Sequence, residues 1–196
     1  MKTNPEIRAR ARAALGSNIF SGAWLGALGA IVVASLVYSI TSSFFIGFIL
    51  TGPIFIGLAF YFLNLARNGK ATLNDLLYAT TNNNLGRTIV VGLLEMLFLA
   101  LWSIIPFGVL VKSSSYMLTP YIAADRPELS ANDCITESRR LMNGHKMQAF
   151  LLDLSFIGWF IVGSLACGIG TLFVLPYVEA ARAAFYEEIK ENATAA

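Results

Sequence analysis

Hydrophobic positions in this chain fall in long continuous runs separated by short polar segments. A helix needs about 20 mostly apolar residues to cross a bilayer, with about 17 to 25 tolerated. Six runs reach or approach that length. We expect transmembrane helices at residues 22–40, 44–65, 88–105, 107–123, 147–167 and 171–186. The pattern therefore predicts an all-α, polytopic membrane protein with six transmembrane helices.

The third and fourth runs join into one apolar stretch, residues 88–123. A straight helix of that length would measure about 54 Å, whereas the hydrocarbon core of a bilayer is about 30 Å thick. The stretch must fold back. Pro106 and Gly108 mark the expected break, because proline removes a backbone donor and glycine permits a tight turn.

Positive charges predict the orientation, since short cytoplasmic segments are enriched in Lys and Arg. With both termini inside, twelve of the 14 basic residues lie on the cytoplasmic side. They are Lys2, Arg8, Arg10, Arg12, Arg67, Lys70, Arg87, Arg126, Arg139, Arg140, Lys146 and Lys190. The three outer turns, around residues 41–43, 106 and 168–170, carry no charge. A five-helix alternative places four of these cations on the wrong face. The first run is too long for a signal peptide and lacks an A-x-A site, so it is expected to remain as a helix.

Three cytoplasmic segments begin alike and indicate an internal repeat. TNPE, TLND and SAND each place an acid three residues after Ser or Thr, which is typical of a helix start. Further markers follow in the same order: Gly16, Gly86 and Gly144, then Pro53, Pro120 and Pro176. We expect one domain, residues 1–196, built from pseudo-repeats at about 3–65, 72–124 and 130–187. Chance agreement among common residues is the alternative.

Each repeat is expected to hold a short cytoplasmic interfacial helix followed by a helical hairpin. In residues 130–142, apolar and small residues share one helical face while Glu137, Arg139 and Arg140 lie elsewhere, as in a helix lying in the membrane interface. Such helices can orient the hairpins or dock a protein partner at the cytoplasmic face.

Composition and motifs narrow the function. The chain is 56% hydrophobic and 13% charged, against roughly 25% charged for soluble domains, and its net charge of +2 is scattered, which argues against nucleic-acid binding. Zinc-protease, nucleophile-elbow and phosphate-loop motifs are missing, and His145 is the only histidine. Cys134 and Cys167 are expected on opposite sides of the membrane, so no disulfide is predicted. We expect no enzyme, no catalytic residue, no metal and no cofactor.

Charged residues inside the predicted helices are the candidate functional residues. Placing a charged residue at the centre of a transmembrane helix costs roughly 2.5–3.5 kcal/mol on insertion scales. Such residues are therefore expected to pair or to line a water-filled cavity. The predicted polar network comprises Glu95, Lys112, Asp153, Glu179, Arg182, Tyr116, Tyr121 and Tyr177. Glu179 and Arg182 are three residues apart on one helix and can touch, with Lys112 or Asp153 as the partner across the bundle. The network either fixes helix register or binds a lipid headgroup, small amphiphile, peptide or ion.

One long stretch resembles a known family. SSSYMLTPYIAADRPELSANDCITESRRLMNGHKMQAFLLDLSFIGWFIVG, followed by GIGTLFVLPYVEAARAAFYEEI, is similar to the bacterial integral membrane family called domain of unknown function 975. The resemblance extends over nearly the whole chain and is most specific in the last ninety residues. It implies a multi-pass protein of the bacterial cytoplasmic membrane and carries no activity or catalytic residues.

Two functions from different classes follow. The first is a non-enzymatic binding, scaffold or accessory protein whose partners are membrane lipids and a cytoplasmic-face protein. The second is a small transporter or channel-like protein that handles a lipid, amphiphile, peptide or ion through the polar network. A closed bundle favours the first, and a cavity that reaches the charges favours the second.

Overall fold

The structure is a computed structural model that describes residues 2–16, 18–42, 46–81, 85–103, 108–165 and 169–195. All regular structure in these ranges is helical, which confirms the predicted all-α class. The α-helices are α1 Asn4–Leu15, α2 Gly22–Ser42, α3 Ile46–Asn68, α4 Tyr78–Thr81, α5 Leu85–Trp102, α6 Gly108–Tyr116, α7 Thr119–Asp125, α8 Ala131–Leu141, α9 Lys146–Leu165 and α10 Ile169–Ala195. A 3₁₀ helix, Leu73–Leu77, precedes α4.

Among the described residues, four helices are long and apolar enough, by length and composition, to cross a membrane. They are Gly22–Thr41 in α2, Gly47–Asn68 in α3, Leu85–Trp102 in α5 and Lys146–Leu165 in α9. Large apolar side chains are widely exposed on α2, α5 and α9, where Leu165, for example, is 81% exposed, whereas more than half of the apolar segment of α3 is buried. Water does not favour such surfaces, whereas lipid does, so these helices are compatible with a membrane protein.

The fourth expected transmembrane helix is not continuous. Residues 107–123 were expected to form one helix, but α6 ends at Tyr116 and α7 begins at Thr119. Pro120 explains the interruption, because its ring clashes with the carbonyl four residues earlier, that of Tyr116, and it has no N–H to donate. Pro120 therefore opens a new helix, whereas Pro53 and Pro176 lie inside α3 and α10.

The sixth expected helix is longer than predicted. It was expected to end at residue 186, but α10 continues to Ala195. Good helix formers fill this extension, and the Asn192 side-chain amide donates to the carbonyl of Glu188 at 2.6 Å. α10 is not among the four long apolar helices found in the described residues.

Two of the three predicted helix starts, after Thr3 and after Ser130, are confirmed. Glu6 accepts hydrogen bonds from the Thr3 amide and hydroxyl at 2.7 and 2.8 Å, and the Ser130 hydroxyl accepts from the Asp133 amide at 3.3 Å. Gly16 follows α1 with a φ of 91°, a conformation that favours glycine. Gly144 has a φ of 83° shortly after α8.

The prediction of a helix of about three turns that starts after Thr72 and ends at Gly86 is wrong. Residues 73–77 form a 3₁₀ helix and residues 78–81 a single turn, while Gly86 lies inside α5 rather than at a helix end. Gly86 does not have the positive φ typical of a glycine that ends a helix, and a Cβ at this position would meet no neighbouring atom. The predicted turn residues Pro106 and Gly168, together with Ser43 and Cys167, lie outside the described residues.

The chain divides into two compact units, and the division falls inside α2 and α3. Unit 1 holds residues 1–32, 61–73 and 147–196. In it, Ile7, Ala11 and Leu15 of α1 are buried, and so is the alanine-rich face of α10. Small residues on α10 let α1 approach its backbone closely.

Unit 2 holds residues 33–60 and 74–146. Its closest backbone approach joins α3 and α5 at Gly52 and Gly92, where a Cβ on either residue would collide with the other helix. Arg87 at the start of α5 holds the chain after α7, and the Ser138 hydroxyl of α8 donates to the Ser115 carbonyl at 2.9 Å. These contacts fix α5, α6, α7 and α8 in one unit.

Candidate functional site

Arg182 joins two carboxylates within unit 1. Its Nε and Nη2 donate to the two oxygens of Asp153 on α9, each at 3.2 Å, and its Nη1 donates to Glu179 Oε1 at 3.1 Å. The fork geometry of a guanidinium suits such a two-point contact with a carboxylate. The pairing expected between Glu179 and Arg182, with Asp153 across the bundle, is present.

This Asp153–Glu179–Arg182 cluster is not deeply buried. The side chains of Asp153, Arg182 and Glu179 are 40%, 31% and 23% exposed. A network at the centre of the bundle was expected, and the cluster instead joins α9 and α10 with its side chains partly exposed. Its ion pairs are therefore weaker than those of an enclosed network.

Four other candidates belong to unit 2. Lys112 lies over the ring of Trp102, 4.1 Å from its centroid, and no described carboxylate pairs with it. Tyr116 is buried beside Phe98, with ring centroids 6.2 Å apart, and Tyr121 is also buried. Lys112 was expected as an ion-pair partner, but an aromatic face satisfies it instead through a cation–π contact.

Glu95 lines a separate cavity of about 280 Å³ in unit 2. The remaining walls are mostly apolar and include Phe55, Met96 and Pro120. Thr51 also faces the cavity, but its hydroxyl donates to the Gly47 carbonyl at 2.7 Å. A carboxyl group in such surroundings is a candidate for binding a proton or a cation.

Tyr177 lines a groove of about 380 Å³ in unit 1. The ring of Tyr177 is 5.0 Å from that of Phe156 in an edge contact, and its hydroxyl accepts from Arg12 Nη2 at 3.2 Å. Trp24 and Trp159 also line this groove. Tyr177 was predicted within the network, but its described polar partner is Arg12 of α1.

The most buried carboxylate was not predicted. Glu188 on α10 is 4% exposed and accepts from the Lys2 amide and ammonium groups at 2.7 Å each and from Arg10 at 3.3 Å. Burial raises the pKa of this carboxyl, but the Lys2 and Asn192 hydrogen bonds outweigh burial and lower the pKa from 4.5 to about 2. The acidic end of α10 and the basic N-terminal arm could have indicated this contact. Both segments were predicted to be cytoplasmic, but no ion pair between them was predicted.

Arg87 was also missed as a structural residue. It donates to the carbonyls of Ala123 at 2.5 Å and Leu129 at 2.8 Å, which lie at the end of α7 and just beyond it. A cation at a helix C-terminus satisfies orphan carbonyls and the helix dipole. From the sequence, Arg87 was predicted only to be one of the twelve cytoplasmic Lys and Arg residues.

No group of three His, Cys, Asp or Glu residues that could hold a metal occurs in the described ranges. Residues 106–193 match the model of a family described as protein of unknown function (DUF975), which confirms the resemblance for that stretch. Searches of curated proteins and of solved structures found no match.

Proposed function

We propose that this chain, whose residues 106–193 match the DUF975 family model, is a non-enzymatic membrane protein that acts as a binding, scaffold or accessory component. The exposed apolar surfaces of four long helices carry the proposal, because lipid is the solvent that such surfaces require. Membrane lipids are the first partners, and the cytoplasmic face is the surface offered to a protein.

The proposed topology has six transmembrane helices arranged as three hairpins, with both termini in the cytoplasm. The interrupted pair α6–α7 would supply the fourth crossing and the first part of α10 the sixth. Support comes from the uncharged predicted outer turns and the twelve Lys and Arg on the opposite side. The bacterial cytoplasmic membrane is the location that the family resemblance implies.

Single cysteines test this topology in intact cells. Cys134 is buried and would stay unlabelled on either side, so Cys134 and Cys167 are first replaced by Ala. Ser103→Cys, exposed after α5, should react with an impermeant maleimide, while Asn132→Cys, exposed on α8, should react only after lysis. Labelling of Asn132→Cys in intact cells would disprove the arrangement, and recovery of the protein outside the membrane fraction would disprove membrane integration.

The Glu95 cavity supports a second candidate, a small transporter or channel-like protein. A carboxyl group within α5 that lines a mostly apolar cavity is a feature of proton and cation pathways. In proteoliposomes, pH- or cation-dependent flux that Glu95→Gln abolishes would favour this candidate. Equal flux in wild type and Glu95→Gln would exclude a role for this carboxyl.

A further inference from the structure

The groove beside Tyr177 combines an apolar wall with one charged end. Trp24, Trp159, Val162, Phe173 and Val174 supply most of the wall, and Arg12 is the charged residue that lines the groove. Its volume of about 380 Å³ lies near the lower end of the range of about 300–1,000 Å³ found for small-molecule sites. The groove therefore suits one apolar chain that carries a single polar head.

Two arginines of α1, Arg8 and Arg12, have no acidic partner among the described residues. The Arg12 guanidinium lies 5.5 Å from the Tyr177 ring centroid, and in the described part of the chain no carboxylate pairs with it. Arg8 lies one turn earlier on the same face of α1, and its Nε is buried without a hydrogen-bond partner among the described residues. By contrast, Arg10 on another face is paired with Glu188 and Glu191. An anion at Arg12 would supply the missing counter-charge.

The walls of the groove are held by contacts that do not need a ligand. Trp24 Nε1 donates to the Phe173 carbonyl at 3.2 Å, and the Tyr177 ring packs against both Trp24 and Phe156. A site held in this way loses little conformational freedom on binding, which favours affinity.

From these features we infer that the groove binds one long-chain fatty acid, with its carboxylate on Arg12 and its chain along Trp24 and Trp159. The inference deepens the proposed binding function and rests on the proposed membrane location. The permanent charge of Arg12 selects an acidic head, and the limited volume selects one chain over the two chains of a phospholipid.

Tryptophan fluorescence provides a direct test, because the chain has three Trp residues and two of them line the groove. The purified Trp102→Phe protein in detergent keeps Trp24 and Trp159 as reporters. Titration with 9,10-dibromostearic acid should quench them saturably, since bromine quenches indole at short range. A second protein, Trp24→Phe with Trp159→Phe, keeps only Trp102 and should show weak, non-saturating quenching.

Head-group recognition is tested on the same protein with the methyl ester of dibromostearic acid. The ester should bind about tenfold or more weakly, as expected when one charge-assisted hydrogen bond is lost. Arg12→Gln should weaken binding of the acid by a similar factor. Arg139→Gln should leave it unchanged, because Arg139 is an exposed arginine in unit 2, outside the groove.

Several results would overturn the inference. Equal quenching by acid and ester would remove the role of the charge, and equal quenching of the Trp102 reporter would indicate general partitioning. Stronger quenching by a dibrominated phospholipid than by the fatty acid would show that the groove binds a two-chain lipid. If the monomer is quenched and a dimer of the protein is not, the groove is instead covered by a second copy of the chain. Because these titrations use purified protein, their failure leaves the membrane-fractionation result untouched and separates the two proposals.

Discussion

Glu188 and Asp153 are both carboxylates of unit 1 that meet a cation from another segment of the chain, yet their surroundings differ. Glu188 is 4% exposed and receives a backbone amide, an ammonium and a guanidinium. The side chain of Asp153 is 40% exposed and, among the described residues, accepts hydrogen bonds from Arg182 alone. Glu188 ties α1 to the end of α10, whereas Asp153 ties α9 to the middle of α10.

The difference in burial predicts that the Glu188 cluster contributes more to stability than the Asp153–Glu179–Arg182 cluster. Exposed pairs contribute about 0–1 kcal/mol, whereas removing one partner of a buried pair costs about 3–5 kcal/mol. The Glu188 cluster therefore fixes the position of α1, and with it the position of Arg12 over Tyr177. Substitutions in the Asp153–Glu179–Arg182 cluster should lower the free energy of unfolding by less.

Removal of Glu188 should have the largest effect. Glu188→Gln is expected to cost about 2 kcal/mol, below the range for fully buried pairs because Lys2 and Arg10 are 42% and 41% exposed. Thermal unfolding in detergent measures the loss, and limited trypsin cleavage at Arg8 reports release of α1. Glu191→Gln is the matched control, because Glu191 contacts the same cations but is 57% exposed. Equal losses in the two variants would contradict the contrast in burial.

Substitution of Arg87 extends the comparison to unit 2. Arg87→Lys should destabilise by about 1–2 kcal/mol, because an ammonium cannot reach the Ala123 and Leu129 carbonyls together. Arg139→Lys, at an exposed position of α8, should leave the unfolding temperature unchanged. A neutral result for Arg87→Lys would show that those carbonyls are satisfied in another way.

Acid should weaken the Glu188 cluster. The pKa of Glu188 is lowered in the folded protein, so its stabilisation is complete above the usual pKa of 4.5 and is lost as the pH falls towards about 2. The unfolding temperature of the wild type should therefore fall more steeply than that of Glu188→Gln between about pH 4.5 and about pH 2. Parallel curves would exclude Glu188 as the titrating group.

The Asp153–Glu179–Arg182 cluster should give the smallest effect. Arg182→Met alone leaves two carboxylates without this cation and should cost about 1 kcal/mol. Combining it with Asp153→Asn and Glu179→Gln should recover part of that loss if the cluster is structural. A stable triple variant that lacks a ligand or phenotype shown by the wild type would instead indicate a binding role.

Sequence reasoning found the contact between Arg182 and Glu179 because helical spacing of three residues places them side by side. Asp153 was also identified, since a charge within an apolar run needs a partner. Lys112 was misjudged, because a cation can be satisfied by the face of Trp102 as well as by a carboxylate. Glu188 and Arg87 were missed because their partners are 186 and about 40 residues away in the chain.

The sequence by itself determined the helical class, the apolar character of the long helices and the starts of α1 and α8. These features depend on local periodicity and on hydrogen bonds between residues three positions apart. Only the tertiary structure decided that α7 is separate from α6, that α1 packs along α10 and that Arg12 meets Tyr177. Contacts between distant segments depend on which surfaces pack together, and a linear pattern of residues does not specify that choice.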